Sequence, residues 1–117
     1  MRLLGIRFCS VAKDKDAASL ADAFARLGLE QGFGAGEHTF SGAVFPAVDS
    51  SWIEIWPSGE GMPEGMMLQL VVDDADAFAS HARENGLSPV GPTDAHGERL
   101  YYLMMPGGLN LSFQSQL

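Results

Sequence analysis

The sequence predicts an α+β fold made of two tandem βαβββ modules. Three observations carry this: strand-like alternation at the head of each half, one amphipathic helix in each half, and two landmarks that repeat at a single offset. Ala25-Arg26-Leu27-Gly28-Leu29 recurs, with one insertion, as Ala82-Arg83-Glu84-Asn85-Gly86-Leu87, placing Gly28 and Gly86 58 positions apart. Ile53-Glu54-Ile55-Trp56 precedes Leu111-Ser112-Phe113-Gln114 by the same 58. A shared offset is the mark of a duplication.

In the first half, Leu3 to Val11 alternates, with Leu4, Ile6 and Phe8 on one face and Arg7, Cys9 and Val11 on the other. A helix is expected over 15–27, because Leu20, Phe24 and Leu27 form one apolar stripe. Asp14 or Asp16 is the expected cap, and Gly28 the left-handed stop. Gly32-Phe33-Gly34-Ala35-Gly36 reads as a loop and lacks the Lys-Ser/Thr of a phosphate loop. Gly42–Val48 and Ser51–Trp56 read as strands joined at Asp49-Ser50.

Pro57–Gly65, rich in Gly and Pro, reads as the linker between module 1 (about 1–60) and module 2 (about 64–117) of a single domain. Module 2 opens with the strand Met66–Val72, followed by a helix over 74–85 capped by Asp73 or Asp74. Gly91-Pro92-Thr93-Asp94 reads as turn, Glu98–Met105 as a strand, Pro106-Gly107-Gly108 as a turn and Leu109–Gln114 as the last strand. A helix stripe must cover one face of a sheet. The opposite face then offers Arg7, Cys9, Trp52, Glu54, Trp56, Met67, Gln69, Asn110 and Ser112 as candidate site residues.

Composition narrows the function classes. The 117 residues are 46 % hydrophobic and 19 % charged, which suits one globular core. Fifteen acids against 7 bases give a net charge of −8, which disfavours nucleic acid and anionic membrane surfaces. No apolar run reaches the ~18 residues of a membrane span. Arg7 interrupts any signal-peptide core, and the lone Cys9 excludes an internal disulfide. A cytoplasmic setting is expected. His38, His81 and His96 are scattered at no metal-ligand spacing.

The run Leu68-Gln69-Leu70-Val71-Val72-Asp73-Asp74-Ala75-Asp76-Ala77-Phe78, the later Asn85-Gly86-Leu87 and the turn Met105-Pro106-Gly107-Gly108-Leu109 resemble the vicinal-oxygen-chelate superfamily. That group includes glyoxalase I, bleomycin-resistance proteins and extradiol dioxygenases. The resemblance implies a curled, cup-shaped sheet around one site. It also implies four metal-ligand positions, which fall here on Arg7, Glu54, Met67 and Ser112. Only Glu54 keeps a typical ligand chemistry; arginine is a fixed cation and a thioether is a soft ligand. No metal and no cofactor are therefore expected.

The resulting expectation is a metal-free protein that binds a small organic molecule, planar or anionic. Arg7 would pair with Glu54 or hold an anion, Trp52 or Trp56 would stack, and Met67, Gln69 and Ser112 would line the site. The alternatives are an enzyme of the same superfamily (lyase, isomerase or dioxygenase), with Glu54 as the best catalytic candidate, and a dimeric accessory module without ligand. A homodimer is expected, because open sheet edges are covered or paired.

Overall fold

The computed structural model describes Met1–Leu117. In chain order it contains β1 (Leu3–Ala12), α1 (Asp14–Arg26), β2 (Ala43–Pro46), β3 (Trp52–Pro57), β4 (Gly65–Val72), α2 (Ala75–Glu84), β5 (Val90–Ala95), β6 (Glu98–Met105) and β7 (Leu109–Gln116), with a 3-10 turn at Pro106–Gly108. The class is α+β: seven strands of mixed direction and two helices. No helix is long and apolar enough to cross a membrane. The chain divides into two compact units, one of Phe8–Met66 and one of Met1–Arg7 with Met67–Leu117, so β1 contributes a half to each.

In the Phe8–Met66 unit, β2 and β3 pair antiparallel with Ala43 opposite Ile55 and Phe45 opposite Ile53. These four side chains share a face, and α1 lies on it. The helix meets the sheet through alanines, Ala17 and Ala21, whose small side chains allow close approach; Leu20 and Phe24 flank them. Phe24 and Phe45 meet at 5.8 Å between ring centroids. Alternation places Trp52, Glu54 and Trp56 on the face away from α1.

The start of α1 departs from expectation. Lys13 occupies the cap position without a side-chain bond, and Asp14 and Asp16 lie inside the first turn. There they complement the helix dipole in place of capping it. Gly28 takes the left-handed conformation, at φ 95°, that ends the helix.

In the other unit the first half of β1 is followed across the sheet by β4, β7, β6 and β5. β4 runs parallel to β7, with Gln69 opposite Ser112 and Leu70 opposite Phe113. β6 runs antiparallel to β7, with Tyr102 opposite Ser112 and Tyr101 opposite Phe113. Leu68, Leu70, Val72, Leu103, Leu111 and Phe113 face α2, which presents Ala75, Ala79 and Phe78. Phe113 is 1 % exposed and sits between Phe78 and Tyr101, at 4.9 and 5.3 Å.

Two first-turn donors of α2 are satisfied: Ala77 N–H donates to the Asp74 carboxylate at 3.0 Å and Ala75 N–H to the Ser115 hydroxyl at 2.9 Å. The second bond pins the helix to β7, and at Gly86, φ 86°, the chain leaves it in a left-handed turn.

Two expectations are corrected here. Residues read as a turn, Gly91 to Asp94, belong to the edge strand β5. The register slips between Val90–Tyr102 and Thr93–Leu100, so Gly91 and Pro92 form an irregularity. A Cβ on Gly91 would stand 2.8 Å from the Leu100 carbonyl oxygen, which accounts for glycine there. The apolar face of β1 is also not fully covered by a helix: Leu4 and Ile6 stay 39 % and 48 % exposed.

Candidate functional site

Strand alternation sorts the expected site residues onto the helix-free face of each unit. In the Met67–Leu117 unit, register sets them in rows across β4, β7 and β6. Gln69, Ser112 and Tyr102 form one row; Val71, Gln114 and Leu100 form the next. One step the other way lie Met67, Asn110 and Met104.

A buried polar chain runs along this face. Arg7, 7 % exposed at its side chain, donates from Nη1 to both oxygens of Glu98, at 3.0 and 3.2 Å. Gln114 donates a long bond from Nε2 to Glu98 Oε1 at 3.5 Å, and the fully buried Ser112 donates from Oγ to Gln114 Oε1 at 2.9 Å. The carboxylate that neutralises Arg7 here is thus Glu98. Sequence reading found strand β6 but left Glu98 out of the site. Counting back by twos from Met104 and Tyr102 along β6 would have put it on this face.

A groove of about 520 Å³ opens in the same unit, lined among others by Met67, Leu87, Ser88, Tyr102, Met104 and Asn110. Its walls are mainly apolar, and its polar groups are neutral: a phenol, a hydroxyl and an amide. Met67 and Asn110 were expected at the site; Tyr102, Met104 and the stretch after α2 were not.

The Phe8–Met66 unit carries a second cluster. Glu54 accepts from the indole N–H of Trp52 and, at 3.3 Å, from that of Trp56. Burial first, and then the adjacent Glu54 carboxylate, push the Cys9 thiol pKa up to about 12. Such a thiol holds almost no thiolate at neutral pH and is a poor nucleophile. Trp56 packs at 5.4 Å on Phe33. Its ring lies so close to Gly42 that a Cβ there would stand 2.2 Å from it. His38, His81 and His96 are exposed.

The four positions that the superfamily resemblance assigns to metal do not fit a divalent cation. Arg7 is a cation bound to Glu98, the Ser112 hydroxyl is spent on Gln114, and Met67 offers a soft thioether. No three His, Cys, Asp or Glu side chains gather anywhere in the chain to hold a metal ion.

No protein-family model and no curated protein matches the chain. Solved structures do. An NAD-dependent benzaldehyde dehydrogenase from Legionella pneumophila aligns with TM-score 0.66 at 15 % identity, over 96 % of this chain and 99 % of that one. Methylmalonyl-CoA epimerase from Mycobacterium tuberculosis aligns with TM-score 0.62 at 17 % identity, over 98 % and 87 %. A glyoxalase/bleomycin resistance protein/dioxygenase superfamily member from Vibrio splendidus 12B01 aligns with TM-score 0.61 at 17 % identity, over 97 % and 99 %. The names span different chemistries, and at such identities the likeness is one of fold, on which many functions are built. The chain has the fold of the glyoxalase/bleomycin-resistance/dioxygenase group, the vicinal-oxygen-chelate fold.

Proposed function

We propose that this is a metal-free small-molecule-binding protein whose ligand occupies the groove of the Met67–Leu117 unit. The observation that carries the reading is the groove itself. Its volume, about 520 Å³, falls in the range of small-ligand sites, and its apolar walls converge on a few neutral polar groups. Gln69 and Ser112 lie one row further along the same face. The charge balance selects the ligand class: Arg7 already meets Glu98, so a ligand anion is not needed to satisfy it. A flat, neutral molecule stacking on Tyr102, with a hydrogen bond to Asn110 or Ser88, suits the groove better than an anionic one.

The test is a panel of matched neutral and anionic aromatic compounds, read by thermal shift on wild type and on Met104→Glu. Met104 is 64 % exposed, so the substitution places a charge in the groove without disturbing the core. Neutral aromatics should raise the Tm of wild type and not of the variant. A broad panel that stabilises neither protein would refute the reading.

A homodimer belongs to the same proposal. Leu4 and Ile6 are large apolar side chains, 39 % and 48 % exposed on β1. Sedimentation at micromolar concentration should show a dimer that Ile6→Lys dissociates.

A further inference from the structure

We infer that Arg83 is a positioning residue for the groove: it holds the wall formed by the stretch after α2, and so sets how tightly a flat ligand is gripped. The inference rests on the groove being the binding site.

Gly86, Leu87, Ser88 and Val90 line the groove together with Tyr102 and Met104 of β6. Pro89, in the middle of that stretch, is buried. The stretch is fastened at both ends. At its start Gly86 N–H donates to the Arg83 carbonyl at 3.1 Å and Leu87 N–H to the Ala82 carbonyl at 3.0 Å, the Schellman pair that closes a helix. At its end Val90 pairs with Tyr102. Between those points one hydrogen bond ties the wall down: Arg83 Nη2 donates to the Pro89 carbonyl at 3.3 Å.

Arg83 is suited to hold rather than to pair. It makes no ion pair, although the chain carries a net charge of −8. Its guanidinium lies over the Tyr101 ring, 5.7 Å from the centroid. That ring is stacked on Phe113 at 5.3 Å, and its hydroxyl donates to Asp76 at 2.6 Å. The cation therefore rests on a fixed platform when it reaches Pro89. Arg26, the matching residue of the sequence repeat, instead pairs with Asp22 on its own helix, both of them largely in water. A wall held before the ligand arrives loses less freedom on binding, and that saving appears as affinity.

The experiment uses full-length wild type, Arg83→Met, Arg83→Lys and Met104→Glu, with prodan, a flat, neutral, environment-sensitive naphthalene ketone, as the probe. Fluorescence titration reads the groove, and amide hydrogen exchange without probe reads the wall. Arg83→Met should bind prodan roughly tenfold more weakly, the scale set by one hydrogen bond from a charged donor. Its Leu87 amide should exchange faster, while the Phe113 amide, which opens only with the core, changes less. Arg83→Lys keeps the charge and a donor and should bind within about threefold of wild type. If Met104→Glu abolishes binding but Arg83→Met binds as wild type does, this inference is overturned and the groove reading stands. If wild type does not bind prodan, or Met104→Glu binds it equally well, the groove reading fails and takes the role of Arg83 with it. Equal acceleration of Leu87 and Phe113 in Arg83→Met would show a general loss of stability in place of a held wall, and would overturn the inference as well.

Discussion

Replacing Glu98 by leucine should be among the costliest single changes on the helix-free face of the Met67–Leu117 unit. Arg7 and Glu98 are 7 % and 18 % exposed at their side chains, and Arg7 spends two contacts, at 3.0 and 3.2 Å, on this carboxylate. Losing one partner of a buried pair costs about 3–5 kcal/mol, because the remaining charge is left in a medium that solvates it poorly. Glu98 is the more exposed of the two, so water can reach the vacated space. The lower end, about 3 kcal/mol, therefore applies. Domains of this size hold only about 5–15 kcal/mol of stability, so the loss should be plain in a denaturant titration. With a urea dependence of about 1.5 kcal/mol per molar, the midpoint should fall by about 2 M.

Arg7→Met alone should cost a comparable amount. The double variant Arg7→Met/Glu98→Leu should return to within about 1 kcal/mol of wild type, since an apolar pair of similar volume replaces an ionic one without strong penalty. Urea unfolding followed by circular dichroism, as a double-mutant cycle, measures all four corners. Additive losses, or a Glu98→Leu cost below about 1 kcal/mol, would show that the pair is not the energetic centre of this face.

Three further outcomes follow from the geometry. Asp76 and Asp94 both have their carboxyls held below the usual aspartate range, Asp76 by Tyr101 and Arg99, Asp94 by Arg99. A depressed folded pKa stabilises above the unfolded value and is lost as pH falls through the folded one. The stability gap between wild type and Asp94→Asn should accordingly be full at pH 6, shrink below about pH 4 and vanish at lower pH; a gap constant down to pH 2 refutes it. Cys9 should resist alkylation at pH 8, since a shift from 9.0 to about 12 leaves roughly three orders of magnitude less thiolate than in unfolded chain. Glu54→Gln should speed the reaction only in part, burial being the larger cause; iodoacetamide rates as fast in native as in urea-unfolded protein would contradict this. Gly42→Ala should destabilise by about 1–3 kcal/mol and shift tryptophan emission, because its Cβ would stand 2.2 Å from the Trp56 ring; unchanged stability and emission would disprove the wedge.

The sequence was most informative where one periodicity settled the matter alone. Both helices and the faces of β3 and β7 were legible because Leu20 and Phe24, or Leu111 and Phe113, had only one way to reach a core. The edge strand β5 was hidden because Gly91 and Pro92 are turn residues by local preference. Only pairing with Tyr102 and Leu100 makes the segment a strand, and such pairing is not a local property. The cap of α1 was missed because local preference favours an aspartate there, whereas the helix begins at Asp14 and leaves Lys13 at the cap without a side-chain bond.

The site followed the same division. Which residues leave the core face could be counted along a strand, and Trp52, Glu54 and Trp56 duly share one face. Which charge meets which could not. Arg7 and Glu98 are 91 positions apart, and no spacing rule links them; only the lateral order of strands brings them together. That pairing changes the functional argument. With Arg7 paired to Glu98, no ligand anion is needed to satisfy it. The planar or anionic ligand expected from the sequence is narrowed, in our proposal, to a neutral one at the groove, and that change traces to one carboxylate at the head of β6.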